Sequence, residues 1–153
     1  MLKAVGAAFL AALVITGLAA GAAQKHDTFK LSATLSAGAE VPKPKGVPAA
    51  ATGSFSGKAV ERANDKASLT WKLTFSHLSG KAVAAHIHLG VKGKPGNVIV
   101  PLCGPCRSGQ TGKATITHAQ LKKIEKGATY VNVHTKKNLG GEIRGQIKAT
   151  SAD

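Results

Sequence analysis

Apolar and polar residues alternate at spacing two in many short segments of the sequence, and this pattern constrains the fold more than any other feature. In residues 29–35 (FKLSATL) and 69–75 (LTWKLTF), the odd positions are apolar and the even positions are polar. Such alternation is typical of β-strands with one face in a core and the other in solvent. It returns more briefly at residues 114–116 and 141–147. The chain is therefore expected to fold mainly as half-buried strands.

Turn-forming residues separate these segments along the whole chain. Gly, Pro, Asn and Asp cluster at residues 42–46, 63–65, 79–80, 92–97, 107–109 and 138–141. The exception is residues 118–126, where Leu121 and Ile124 lie three apart and Gly127 follows, which predicts one short helix. About eight strands with almost no helix favour an antiparallel β-sandwich or barrel of Greek-key type.

The N-terminal segment predicts export. It contains Lys3, an apolar stretch from Ala4 to Ala20, and the small residues Ala20-Gly21-Ala22. This order is that of a secretory signal peptide, so we assign residues 1–23 to one. A transmembrane anchor is the alternative, but glycines thin the hydrophobicity and no basic stop-transfer cluster follows. We expect a secreted or periplasmic protein with no transmembrane segment in the mature chain.

The composition describes a basic, glycine-rich domain with few aromatic residues. Removing the signal peptide leaves about 130 residues, enough for one core. It takes only Lys3 from the 21 cations and none of the 7 acids, so the net charge falls from +14 to +13. Such a surface would attract anionic lipid, acidic polysaccharide or nucleic acid.

The arrangement of these cations argues against nucleic acid. No run of lysines exceeds two, and one Trp, one Tyr and four Phe leave little aromatic surface for base stacking. We therefore expect no nucleic-acid partner. A solvated basic surface and the binding of an anionic envelope polymer, such as a polysaccharide or a lipid surface, both stay open.

Three of the six histidines lie in strand patterns. His86 and His88 are two residues apart in AAHIHL, hence on one face and about 6.6 Å apart along the strand. His134 lies in YVNVH on the outward side of a later strand. The residues expected on the core side are Ala85, Ile87, Leu89, Val131 and Val133. Three neutral imidazoles would suit copper or zinc, and the alternative is surface or hydrogen-bonding histidines without a metal.

The remaining histidines have no such partners nearby in the sequence. They are His26, His77 and His118, and each is expected to be solvated.

The two cysteines form a Cys-Gly-Pro-Cys motif at Cys103 and Cys106. Thioredoxins carry the same letters, but there the first Cys begins a helix, whereas turn sequence follows here at residues 107–112. We therefore do not expect redox catalysis. A disulfide that closes a local loop is expected in an exported chain, and thiolate ligation of a soft ion such as Cu(I) stays open.

Several motifs in order resemble the CHRD domain, the module named after chordin, which also occurs singly in bacterial exported proteins. They are LSATLSAGAEVP at residues 31–42, HIHLGVKGKPGNVIVPL at 86–102, YVNVHT at 130–135 and GGEIRGQI at 140–147. On this resemblance we assign residues 27–149 to a CHRD domain. The chain departs from the family at Leu139-Gly140, where members often carry a Pro before the Gly-Glu pair.

The resemblance implies an immunoglobulin-like β-sandwich with limited similarity to Cu/Zn superoxide dismutases. Those enzymes bind copper through a His-x-His strand and a later strand-borne His, and His86, His88 and His134 match in type and order. Only His118 lies between His88 and His134, so the bridging histidine and the zinc loop have no counterpart. Arg144 is out of register with the substrate-guiding Arg of the dismutases. The resemblance thus implies copper, with zinc less expected, more than it implies superoxide chemistry.

The leading interpretation is an exported, non-catalytic CHRD module that binds a metal, a protein or an envelope ligand. Its expected site is His86, His88 and His134, and no catalytic residue is assigned. A copper-dependent, superoxide dismutase-like redox enzyme is the first alternative. Binding of an anionic envelope polymer through the basic surface is the second.

Overall fold

Antiparallel strands make up most of the chain in the computed structural model, which describes residues 26–152. The predicted signal peptide lies outside the described residues. The elements are β1 (Thr28–Ser36), β2 (Thr52–Arg62), β3 (Lys66–Ser76), β4 (Ala82–Leu89), β5 (Val98–Cys103), β6 (Gln110–Thr117), α1 (His118–Glu125), β7 (Thr129–Thr135), β8 (Ile143–Gln146) and β9 (Lys148–Ser151), with a 3-10 turn at Ala37–Ala39. The all-β fold with one short helix confirms the predicted fold class.

The strands form one curved sheet in the order β5-β4-β7-β8-β1-β2-β3-β6, and β9 also pairs with β1. Neighbours such as β1 and β2 are joined by the chain directly, whereas β3 pairs with β6 and β7 lies between β4 and β8. The sheet curls until its edge strands β5 and β6 lie near each other. The result is a nearly closed barrel or sandwich with an apolar interior.

The alternating pattern fills this interior as predicted. The inward side chains of β1 and β3 are fully or almost fully buried, and they are Leu31, Ala33, Leu35, Leu69, Trp71 and Leu73. Burial of each large apolar side chain stabilises the fold by roughly 1.5–3 kcal/mol.

Helix α1 begins at a capping box that the sequence encodes locally. The Thr117 hydroxyl accepts a hydrogen bond from the backbone N–H of Gln120, and the Gln120 side chain accepts one from the N–H of Thr117. Leu121 and Ile124 are fully buried, which confirms the three-residue spacing seen in the sequence. Within the described residues, no helix has the length and apolar content needed to cross a membrane.

Strand β7 is the exception to half-burial, because all seven of its residues are buried. Val131 and Val133 lie in the core, as predicted. Its outward side chains are covered by the two segments that we name the front loop (residues 90–97) and the back loop (residues 136–141). The prediction for Leu89 was wrong: this side chain is 37% exposed, because β4 ends there and the chain turns into the front loop.

Candidate metal centre

The pairing of β4 with β7 brings His86, His88 and His134 together on the outer face of the sheet. His86 lies opposite Asn132, and His134 lies two residues farther along the same strand, so the two histidines are diagonal neighbours. One potential ligand atom from each of the three rings lies within 4.8 Å of the others. The ring centroids are 4.9 Å apart for His86 and His134, 5.5 Å for His86 and His88, and 5.9 Å for His88 and His134.

Backbone carbonyls fix the protonation of two of these rings. His88 Nδ1 lies 2.9 Å from the carbonyl oxygen of Gly96, and His134 Nδ1 lies 2.8 Å from that of Leu139. A carbonyl oxygen only accepts, so each neutral ring carries its proton on Nδ1 and keeps a lone pair on Nε2. His88 Nε2 is buried without a hydrogen-bond partner among the described residues. Metal-bound histidines are typically oriented in this way by a second hydrogen bond.

The spacing of the ligand atoms fits two of the three metal bonds directly. His86 Nδ1 lies 3.1 Å from His134 Nε2. Two nitrogens at that distance, each about 2.0 Å from an ion, subtend about 100° there, between the square-planar and tetrahedral angles. Two nitrogens that bind the same ion can be at most about 4 Å apart. The three ligand atoms lie within 4.8 Å of one another, so the third ring must move by roughly 1 Å for all three to bind one ion.

The same 3.1 Å contact also suits a hydrogen bond from His86 Nδ1–H to His134 Nε2. A metal needs both of these lone pairs, so the hydrogen bond and the metal exclude each other. Metal binding would therefore move the proton of His86 from Nδ1 to Nε2.

Burial keeps the three imidazoles neutral. It lowers the pKa of His86 to about 4, with the neighbouring His134 and His88 adding to the effect. Burial also lowers the pKa of His88, against the opposing hydrogen bond to Gly96, and that of His134, against the hydrogen bond to Leu139. At neutral pH, protons therefore do not compete for the lone pairs that a metal would use.

A stack of three side chains supports His88 from behind. The Tyr130 ring lies parallel to the His88 ring, with centroids 4.9 Å apart and planes at 10°. The guanidinium carbon of Arg144 lies 3.4 Å from the centroid of the Tyr130 ring, in a cation–π contact. Arg144 Nη2 in turn donates to the carbonyls of Val91 and Lys94 and so holds the front loop against the sheet.

Sequence reasoning missed the buried polar groups beside the histidines. Glu40 and Arg144 are each 1% exposed, and the sequence singled out neither as part of a site. Burial raises the pKa of Glu40 to about 7, although the N–H of Val41 and the charge of Arg144 oppose the rise. Glu40 Oε2, Asn132 Oδ1 and Arg144 Nη1 are buried without a hydrogen-bond partner in the described part of the chain. The feature that could have identified Arg144 is its outward position in the alternating pattern of β8. That position places it directly opposite Asn132 on β7.

The other candidates are not members of the three-histidine cluster. The sulfur atoms of Cys103 and Cys106 are 2.10 Å apart, at disulfide distance, so neither offers a thiolate to the histidines. His26 and His77 are exposed, and His118 Nδ1 lies 3.2 Å from a carboxylate oxygen of Glu61.

The fold and the site together define a class of protein: a nearly closed antiparallel β-barrel or sandwich with three histidines gathered under two loops on its outer face. Residues 31–147 match the CHRD domain family, and the chain belongs to this family. The family match confirms the resemblance seen in the sequence motifs. Searches of curated proteins and of solved structures give no significant match.

Proposed function

We propose that this CHRD protein is an exported, non-catalytic binding module whose three-histidine centre holds one copper ion. The observation that carries the proposal is the hydrogen bonding of His88 and His134. Each commits its Nδ1 to a backbone carbonyl, which leaves two Nε2 lone pairs beside His86. Of these, His88 Nε2 is buried without a hydrogen-bond partner among the described residues. A histidine that merely stabilised the fold would not need such an unpaired nitrogen, because an unpaired buried polar group costs stability.

The donor set favours copper over zinc. Three neutral imidazoles suit both ions, but divalent copper binds a given nitrogen site more tightly than zinc does. Because the cysteines lie at disulfide distance, the site offers no thiolate that would favour zinc or an iron–sulfur cluster. A bound copper ion would be able to change between the Cu(I) and Cu(II) oxidation states. The role of the protein would be to bind the copper ion through neutral imidazoles that are already oriented.

The non-catalytic assignment is supported by the position of Arg144. Its side chain is 1% exposed and lies under the front loop, so its positive charge is not presented to a substrate anion. The resemblance to the dismutases therefore extends to the order of the histidines and not to an accessible guiding cation.

Two features support export. The N-terminal sequence has the order of a signal peptide, and the sulfur atoms of Cys103 and Cys106 lie at disulfide distance. Disulfides persist mainly in oxidising compartments. N-terminal sequencing of the protein from its native host should find the chain starting at residue 23 or 24. A chain that still begins at Met1 would contradict the proposed export.

The metal is tested by competitive dialysis of the purified mature chain against equimolar Cu(II) and Zn(II), followed by metal analysis. We expect one copper per chain, retained in the matched surface variant His77→Ala and lost in His86→Ala and His134→Ala. Equal copper retention in all four proteins would contradict the proposed site. Dismutation of superoxide faster than that by free copper would instead favour the enzyme.

A further inference from the structure

A second surface stands out on the opposite part of the sheet, across β9, β1, β2, β3 and β6. Two neighbouring rows of outward side chains run across these five strands and contain only lysines and hydroxyls. We name these ten residues the lysine–hydroxyl face. The first row is Lys148, Ser32, Ser56, Lys72 and Thr111, and the second row is Thr150, Lys30, Lys58, Thr70 and Lys113.

The face is open and regular. All ten of its residues are exposed. Adjacent strands lie about 4.8 Å apart, so each row spans about 19 Å, and the rows are separated by about 6.6 Å along the strands. A surface of this size can contact several successive units of an extended polymer.

The charge of the face is not explained by folding. Lys30 lies directly opposite Lys58 on the neighbouring strand, and like charges in that position destabilise a sheet. None of the ten positions is acidic, and none of the five lysines forms an ion pair within residues 26–152. An anion bound between these lysines would remove the repulsion that the sheet otherwise tolerates.

A shallow groove continues the face towards the front loop. It encloses about 1190 Å³, and its lining includes Ser54, Ser56, Lys148 and Lys92, together with the acidic Glu125 and its neighbour Lys126. Lys92 belongs to the front loop, so a ligand lying along the groove would meet a further cation beyond the two rows.

We propose that the lysine–hydroxyl face binds an anionic polysaccharide in an extended conformation. Lysines would pair with its carboxylate or sulfate groups, and the Ser and Thr hydroxyls would exchange hydrogen bonds with its sugar hydroxyls. The ten positions include no aromatic side chain for base stacking and no apolar side chain to enter a membrane or to form the centre of a protein interface. These absences favour a sugar polymer over nucleic acid, lipid or protein.

The charge is tested by titrating the full mature chain with heparin and with polygalacturonate, with neutral dextran as the control polymer. We expect the variant Lys30→Gln/Lys58→Gln/Lys72→Gln to bind both acidic polymers about tenfold more weakly than the unaltered protein. The matched variant Lys81→Gln/Lys123→Gln/Lys136→Gln has the same net charge but leaves the face intact, and we expect less than a twofold change. Equal losses in the two variants would overturn the proposal, because net charge alone would then explain binding.

The hydroxyls are tested by Ser32→Ala/Ser56→Ala. This variant should weaken binding of polygalacturonate while leaving binding of inorganic polyphosphate, which has no sugar hydroxyls, unchanged. Tighter binding of duplex DNA or of phosphatidylglycerol vesicles than of either polysaccharide would overturn the choice of ligand. Circular dichroism and thermal melting of every variant check that the fold is kept, and copper binding, which the proposal does not involve, should be unaffected.

Discussion

The outer surface of a single sheet differs between its two halves. On β1, β2 and β3 the outward side chains are mainly exposed hydroxyls and lysines, whereas on β7 they are Tyr130, Asn132 and His134, all buried. Both halves follow the same alternation along the strand. The difference lies in the front and back loops, which fold over β4, β7 and β8 and leave β1, β2 and β3 open. Alternation therefore decides which residues point outward, and distant loops decide whether these residues meet water.

Burial makes the covered half the energetically sensitive one. Its polar groups have left water, and Arg144 Nη1 and Glu40 Oε2 find no partner among the described residues in exchange. On the lysine–hydroxyl face, all ten residues are exposed. Substitutions on the two halves should consequently differ in their effect on the free energy of unfolding by several kcal/mol, and the predictions that follow go from the largest effect to the smallest.

Among these substitutions, Arg144→Met should lower the free energy of unfolding the most. The change removes the hydrogen bonds to Val91 and Lys94 and the cation–π contact with Tyr130. It also removes the positive charge that opposes the raised pKa of Glu40. We expect urea unfolding to show a loss of about 3–5 kcal/mol. The matched change Lys72→Met on the exposed face should stay within about 0.5 kcal/mol, and similar losses in the two variants would remove the distinction between the halves.

Glu40 should make stability depend on pH. Its pKa in the folded state is raised to about 7 from its usual value of 4.5, so the folded protein holds this proton more tightly than the unfolded chain does. The stabilisation is complete below about pH 4.5 and is lost as the pH rises to about 7, a change on the order of 3 kcal/mol.

The measurement is the difference in unfolding free energy between the unaltered protein and Glu40→Gln at a series of pH values. Protonation of the three histidines contributes in the opposite direction below about pH 6.5, but it is common to both proteins and cancels in the difference. A difference that does not change between pH 4.5 and 7 would show that Glu40 titrates normally.

Gly96→Ala should disturb the front loop where it supports His88. A Cβ at Gly96 would lie 1.6 Å from the carbonyl oxygen of Leu89, so the backbone must move. The carbonyl of Gly96 holds the Nδ1 proton of His88, so copper affinity should fall together with about 2 kcal/mol of stability. Gly80→Ala is the matched control, since a Cβ there meets no atom within 4 Å. Unchanged copper affinity in Gly96→Ala would show that the front loop does not contribute to copper binding.

Lys58→Glu should change the free energy of unfolding least, and it should stabilise the protein rather than destabilise it. It replaces the repulsion between Lys30 and Lys58 with an attraction, and we expect a gain of about 0.5 kcal/mol in thermal or urea unfolding. The same variant should bind polygalacturonate less tightly. A loss of stability would mean that the two lysines already have favourable surroundings.

Much of the fold was predictable because its signals are local. Alternation placed Trp71 and Val133 in the core, and the three-residue spacing of Leu121 and Ile124 identified the helix. The shared face of His86 and His88 also follows from spacing alone. The outward position of His134 in a later strand pattern made it a candidate, and the family resemblance added to this, but its place beside the other two depends on the pairing of β4 with β7.

The surroundings of the site were not predictable, because they depend on contacts between distant segments. The insertion of Arg144 under the front loop requires β8 and a loop some fifty residues earlier in the chain to meet. The lysine–hydroxyl face likewise joins residues from five strands, and in the sequence its lysines are dispersed. Only the register of the sheet reveals that they form two rows.

The protonation states of the three histidines test the metal centre most directly. Long-range proton–nitrogen correlation NMR on the uniformly 15N-labelled chain distinguishes Nδ1–H from Nε2–H in neutral imidazoles. We predict Nδ1–H forms for His88 and His134 and, on addition of one equivalent of Cu(I), large shifts of both Nε2 atoms and of His86 Nδ1. Nε2–H forms at His88 or His134, or spectra that copper leaves unchanged, would contradict a three-histidine copper site.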